Sequence, residues 1–151
     1  MIRLDITNKS FGEKLIFKNT TFHASKGEFI GIKGESGVGK STLLSMIGLL
    51  DNFSGKYELY NDVITRKNKE QIRINNFAYV FQNPYLIPYL TVRENILMPS
   101  KNLKFKLSSE EVAEAAKRFN IFDLLDRTPV NLSSGEAERV ALCRAVLSKR
   151  E

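Results

Sequence analysis

Cysteine is almost missing: Cys143 stands alone in 151 residues. That excludes a disulfide scaffold and reads as a small, buried, apolar residue in a reducing compartment. Histidine is equally scarce, with His23 alone. The chain has no internal repeat and no low-complexity linker. Its opening, MIRLDIT, alternates and carries Asp5, so it lacks the apolar core of a secretory signal. Long hydrophobic runs are also lacking. The one uncharged stretch, Ile74 to Val92, has 19 residues. It holds Asn75, Asn76, Gln82, Asn83, Pro84 and Pro88, which argue against a membrane-spanning helix. The expected location is cytoplasmic.

What is present describes a globular chain. Ten Phe and five Tyr supply core material, and 26% charged residues supply a surface. The length suits one ordinary domain. Net charge is +6, from 23 Lys+Arg against 17 Asp+Glu. The basic clusters Arg66–Lys69 and Lys101–Lys106 are not interleaved with aromatics in the manner of a stacking platform, so they read as solvated surface and no nucleic-acid partner is expected.

Periodicity orders the chain. Ile2, Leu4 and Ile6 alternate with polar residues as on a half-buried strand, and Leu15–Phe22 reads as a second. Phe29, Ile30 and Ile32 predict a buried strand. Ser41–Leu50, apolar nearly all round, predicts a buried helix. Gly55 opens an expected edge strand over Lys56–Tyr60, and Phe77–Phe81, FAYVF, predicts a fully buried strand. After Thr91 the pattern turns helical. Thr91 and Glu94, and Ser108 and Glu111, have capping-box spacing. Val112, Ala115, Ala116 and Phe119 share a helical face, and Ala137–Ser148 predicts another helix.

Between the expected Phe29–Ile32 strand and Ser41–Leu50 helix lies the most specific motif. Gly34, Glu35, Ser36, Gly37, Val38, Gly39, Lys40 and Ser41, followed by Thr42, satisfy G-x-x-x-x-G-K-[ST]. Glycines let the backbone fold tightly and aim N–H groups at phosphates, and the following helix adds its positive dipole end. Lys40 suits the β- and γ-phosphates, Ser41 suits Mg²⁺, and Thr42 reinforces the phosphate site. This implies a nucleoside triphosphate and Mg²⁺, without specifying the reaction.

A second motif, Leu132-Ser133-Ser134-Gly135-Glu136, has two readings. Ser133 and Glu136 have capping-box spacing, so the stretch can simply start a helix. Taken with the phosphate loop, LSSGEAERVALCRAVL resembles the signature of ATP-binding cassette (ABC) ATPases, usually LSGGQ or LSGGE. Phe77–Pro84 is similar to that family's strand and Q-loop, with Gln82 at the glutamine position. Phe11 stands where the family has an aromatic residue stacking on adenine. The order of the four elements is the family's. Gly48-Leu49-Leu50-Asp51 and Asn95–Pro99 are similar to the subgroup serving lipoprotein release, macrolide export and peptide export.

The resemblance implies an α/β P-loop NTPase fold: a RecA-like core with an N-terminal antiparallel β-subdomain, plus a helical subdomain. Residues 1–90 would form the β-subdomain and part of the core, 91–135 the helical subdomain, and 136–151 the signature helix returning to the core. It implies ATP and Mg²⁺, with Phe11 under adenine and Gln82 near Mg²⁺ and the attacking water. Ser133 and Gly135 would face the γ-phosphate held by a second cassette. Partners would be that second ATPase subunit and a transmembrane permease, which docks at Tyr85–Leu90. The chain would sit at the inner face of the cell membrane and serve export.

Departures from the family pattern qualify this. Ser134 replaces the first signature glycine, which weakens the contact if the position needs positive φ. Glu136 replaces the usual Gln, and Glu138 replaces a common Gln ahead of Arg139. The family's apolar strand ending in Asp-Glu, which holds Mg²⁺ and supplies the catalytic base, is not found; Lys149-Arg150-Glu151 is no such strand. His23 precedes the phosphate loop and cannot be the family's later histidine. The expectation is therefore a cassette truncated before that strand, binding nucleotide with negligible hydrolysis. A soluble ABC-type ATPase acting on ribosomes or DNA, and a non-hydrolysing nucleotide-binding fragment, remain as alternatives.

Overall fold

The first strand, β1 (Ile2–Phe11), follows its alternation: Leu4 and Ile6 are buried while their neighbours are more exposed. In the computed structural model, which describes residues 1–99 and 106–150, the chain divides into two compact units, Met1–Phe77 and Ala78–Glu151.

The first unit is built on an antiparallel sheet of order β2-β1-β3-β4, with β2 at Lys14–Ala24, β3 at Ser54–Leu59 and β4 at Asp62–Val63. Strand β3 pairs with β1 on one side and β4 on the other, so the expected edge strand is interior. Ile6 faces Gly55 and Asn8 faces Ser54, which leaves Thr7 as an extra residue, a β-bulge. Gly55 permits it. Its φ is +144°, and a Cβ there would lie 2.0 Å from the Asp5 carbonyl oxygen. The bulge resets the alternation, so Lys9 rather than Asn8 is the next buried residue of β1.

Helix α1 (Lys40–Ile47) lays Met46 on the sheet, where Leu4, Ile6, Leu49, Tyr57 and Leu59 form the core. Each fully buried aliphatic side chain contributes about 1.5–3 kcal/mol. The helix is covered on one face only, because Leu44 stays 57% exposed; the expectation of an all-round buried helix is corrected. Helix α2 (Lys69–Asn76) adds Ile72 to this core. It was not foreseen, because its single regular apolar pair, Ile72 and Ile74, does not mark a helical stripe.

Two expected strands are absent as ladders. Phe29–Ile32 has no strand pairing, and Phe29 is fully exposed. Phe77–Phe81 likewise joins no strand ladder among the described residues: Phe77 packs on the first unit's core, while Val80 and Phe81 are exposed. A strand exists through its neighbours' hydrogen bonds, and no strand lies beside either segment among the described residues. Apolar composition alone could not reveal that.

The second unit is helical: α3 (Val92–Leu97), α4 (Ser109–Arg118) and α5 (Ser134–Leu147), with 3₁₀ turns at Phe122–Leu124 and Pro129–Asn131. All three helices begin with reciprocal capping boxes, Thr91/Glu94, Ser108/Glu111 and Ser133/Glu136. Each Ser or Thr cap is worth about 1 kcal/mol. Val92, Ile96, Val112, Ala116, Ile121 and Val140 fill the core, together with Cys143, which is fully buried as expected. Burial pushes its thiol pKa up to about 11. Among the described residues no helix is long and apolar enough to cross a membrane. The Lys101–Lys106 cluster lies outside them except for Lys106.

Candidate nucleotide site

Gly39 fixes where α1 begins. It holds φ +107° as the residue before the helix, and a Cβ there would stand 2.7 Å from Ile16 Cγ2 and 3.0 Å from Phe17 Cζ. Only glycine lets the loop turn this close to β2. No side chain caps α1, and its first turn has no acidic residue. The N–H groups at its start are therefore left for an outside acceptor, with the dipole's positive end behind them.

The lysine of the motif sits inside the loop. Lys40 Nζ donates to the carbonyl oxygens of Gly34 at 2.9 Å and Glu35 at 2.7 Å. An ammonium held only by neutral carbonyls is well matched to phosphate oxygens. Ser41 is exposed and Thr42 half-buried, and among the described residues neither hydroxyl makes a hydrogen bond. The donor set fits a polyphosphate. Ser41 is a hard oxygen donor suited to Mg²⁺, but no group of three His, Cys, Asp or Glu side chains gathers among the described residues.

Phe11 closes β1 and pairs with Lys14 across the hairpin. Lys14 lies about 10 Å along β2 from Phe17, at about 3.3 Å per residue, and Phe17 touches Gly39. Phe11 is thus at the phosphate-loop end of the hairpin. It is 53% exposed, so it is not a core residue. His23 is an exposed residue on β2.

Sequence reasoning missed the group beneath Phe11. Lys9 Nζ lies 4.5 Å from the Phe11 ring centroid, 2.7 Å from Asp51 Oδ2 and 2.8 Å from the Asn52 carbonyl oxygen. Lys69 Nζ donates to Asn52 Oδ1 at 2.6 Å and to the Asp51 carbonyl at 3.2 Å. Burial works against the Asp51 charge, yet the hydrogen bonds from Lys9 and the Asn52 N–H hold its carboxyl below the usual aspartate range. Thr7 concealed Lys9 by shifting the strand's alternation.

The remaining expected site residues lie in the second unit. Gln82 is exposed and follows Phe81. Tyr79 and Phe81 stack with centroids 5.9 Å apart, as side chains two apart on extended backbone do. Ser133 caps α5; its hydroxyl and N–H both donate to Glu136 Oε2 at 2.7 Å, which holds that carboxyl below the usual range. Both readings of LSSGE thus survive, since the cap is real and leaves Ser133 and Gly135 exposed at a helix start. Ser134 is helical, with no positive φ, so the feared backbone penalty is absent. A Cβ on Gly135 would meet only Arg139 Nη1, at 3.4 Å. Nothing within this unit requires glycine there.

The segment after Gln82 is tied down by residues the sequence did not single out. Arg144, on α5, donates to the carbonyls of Pro84 at 2.7 Å and Tyr85 at 3.2 Å. Leu86 packs on the helical core, while Tyr85 and Tyr89 are 65% and 81% exposed.

Comparison with known proteins agrees with this geometry. The ABC transporter family model matches residues 17–151. The putative hemin import ATP-binding protein HrtA of Staphylococcus haemolyticus is 35% identical over 98% of this chain and 71% of its own length. The lipoprotein-releasing system ATP-binding protein LolD of Bacteroides thetaiotaomicron is 33% identical over 98% of this chain and 71% of its own. The macrolide export ATP-binding/permease protein MacB of Campylobacter jejuni is 36% identical over the whole chain, which spans 24% of MacB. The dimeric structure of MJ0796, a bacterial ABC transporter cassette, superposes with a TM-score of 0.84 at 32% identity, covering 99% of this chain and 71% of that one. A post-hydrolysis dimer of the same cassette, bound to ADP and Pi, gives 0.80. The phosphate loop, the signature start of α5 and these matches agree: the chain belongs to the ABC transporter family, as part of its ATP-binding cassette.

Proposed function

We propose that this chain binds MgATP and couples it to a transmembrane permease through a dimer of cassettes. The carrying observation is the uncapped start of α1 at Gly39, with the Lys40 ammonium resting on two neutral carbonyls beside it. In this reading the loop's N–H groups from Gly34 to Thr42 surround the phosphates, and Lys40 exchanges carbonyl for phosphate oxygens. Ser41 gives an oxygen to Mg²⁺, and Gln82 orients toward the metal and attacking water. Phe11 stacks on adenine.

Ser133 and Gly135 serve the nucleotide of a second cassette. The spare room around Gly135 supports this, since a glycine with no internal need suits close approach from outside. The dimeric state of the similar cassette MJ0796 supports it too. Exposed Tyr85 and Tyr89 offer the permease an amphipathic surface at the inner face of the membrane. Relatives named for import and for export both match, so the proposed export role rests on the subgroup likeness alone.

The proposal rests on the phosphate loop and is tested by nucleotide binding. Calorimetry should show Mg-dependent ATP binding weakened about 100-fold by Lys40→Ala, the upper range for one charge-assisted hydrogen bond. Unchanged affinity would refute the phosphate site.

A further inference from the structure

We propose that Lys9 is a positioning residue for the nucleotide base, acting through Phe11; this rests on the reading of Phe11 as the adenine platform. An aromatic ring has two faces. The Lys9 ammonium lies over one, 4.5 Å from the centroid, and the ring remains 53% exposed. A cation on one face holds the ring's orientation and draws its π-density, which favours stacking of an electron-rich purine on the other.

Lys9 is itself rigidly held. The residue is only 7% exposed, and its ammonium is fixed by Asp51 Oδ2 and the Asn52 carbonyl. Asp51 is in turn anchored to the phosphate-loop helix, where its N–H donates to the Ser45 carbonyl at 3.1 Å. From α2, Lys69 clamps Asn52. A continuous chain of contacts thus runs from α1 through Asp51 and Lys9 to Phe11. Lys9 sets the base platform in register with the phosphate loop.

A lysine that only stabilised the fold would influence every ligand equally. A lysine that positions the platform influences only ligands carrying a base. Calorimetry on the full chain with MgATP and with inorganic tripolyphosphate separates these. Phe11→Ala should weaken ATP about tenfold and leave tripolyphosphate unchanged. Lys9→Met should weaken ATP about three- to tenfold, again sparing tripolyphosphate. Lys9→Arg, which keeps a cation, should restore most of the loss. Lys9→Met/Asp51→Asn, which leaves no unpaired buried charge, should behave like Lys9→Met. The proposal is overturned if Phe11→Ala has its effect while Lys9→Met has none, or if Lys9→Met weakens both ligands alike. If Phe11→Ala itself leaves the ATP-to-tripolyphosphate ratio unchanged, the platform reading fails first and takes this proposal with it.

Discussion

Asn95 and Ile87 exchange two hydrogen bonds: the Ile87 N–H donates to Asn95 Oδ1 at 2.7 Å, and Asn95 Nδ2 donates to the Ile87 carbonyl at 3.1 Å. The side chain imitates a strand neighbour for one residue of an otherwise irregular segment. It also reaches the carbonyls of Leu90 and Thr91, and it is fully buried on α3. Asn95→Ala would orphan buried backbone groups, at about 1–3 kcal/mol for each one left unpaired. The expected outcome is a loss of about 2–4 kcal/mol in denaturant unfolding and faster amide exchange at Ile87. Unchanged exchange at Ile87 would contradict the role given to this pair.

Two glycines should respond oppositely to alanine. Gly55→Ala places a Cβ 2.0 Å from the Asp5 carbonyl at positive φ, so about 2–5 kcal/mol is expected to be lost. Gly135→Ala lies in α5 with room to spare, and its helix propensity favours alanine by up to about 1 kcal/mol. Thermal unfolding should therefore show Gly135→Ala at least as stable as the parent. Any defect it has should emerge only in nucleotide-dependent dimerisation.

The Lys9–Asp51 pair predicts an acid limb. The Asp51 carboxyl is held below its ordinary range when folded, so the unfolded chain takes up that proton first as pH falls. The stabilisation is present above about pH 4, where an unfolded aspartate is ionised, and fades below it. Asp51→Asn should cost about 1–3 kcal/mol at pH 7, chiefly by leaving Lys9 buried without its counter-ion. Urea unfolding of both proteins from pH 7 to pH 3 should show that difference shrinking toward the acid end.

Cys143 should be silent toward thiol reagents. It is fully buried, and its thiol pKa of about 11 leaves almost no thiolate at neutral pH. Labelling is expected to track unfolding, so its rate should rise with urea in step with loss of the native signal. Fast labelling in buffer alone would contradict this packing of α5.

The elements that were legible in the sequence are those whose stability is local. The capping boxes at Thr91, Ser108 and Ser133 write their own hydrogen bonds within four residues, and all three occur. The G-x-x-x-x-G-K-S motif is likewise a short-range statement about backbone freedom. Phe29–Ile32 and Phe77–Phe81 failed because a buried strand is a relation between segments, which apolar composition does not encode. Lys9 was hidden for another reason: strict alternation along β1 points to Asn8, and only the pairing of Ile6 with Gly55 exposes the extra residue. Asn95 carried a weak signal, a polar residue between Val92 and Ile96 on an apolar helix face.

The bulge at Thr7 also makes a genetic statement. Which side of β1 carries Lys9 is decided by Gly55, a residue on another strand. A mutational map of nucleotide binding would therefore score Gly55 as a site residue, though its backbone lies against Asp5 and Thr7. Deleting Thr7 would keep Lys9 in phase with Ile6 against β3 but would slip Asn8 and Lys9 by one residue against Lys18 and Phe17 on β2, so shortening one strand cannot replace the glycine on the other.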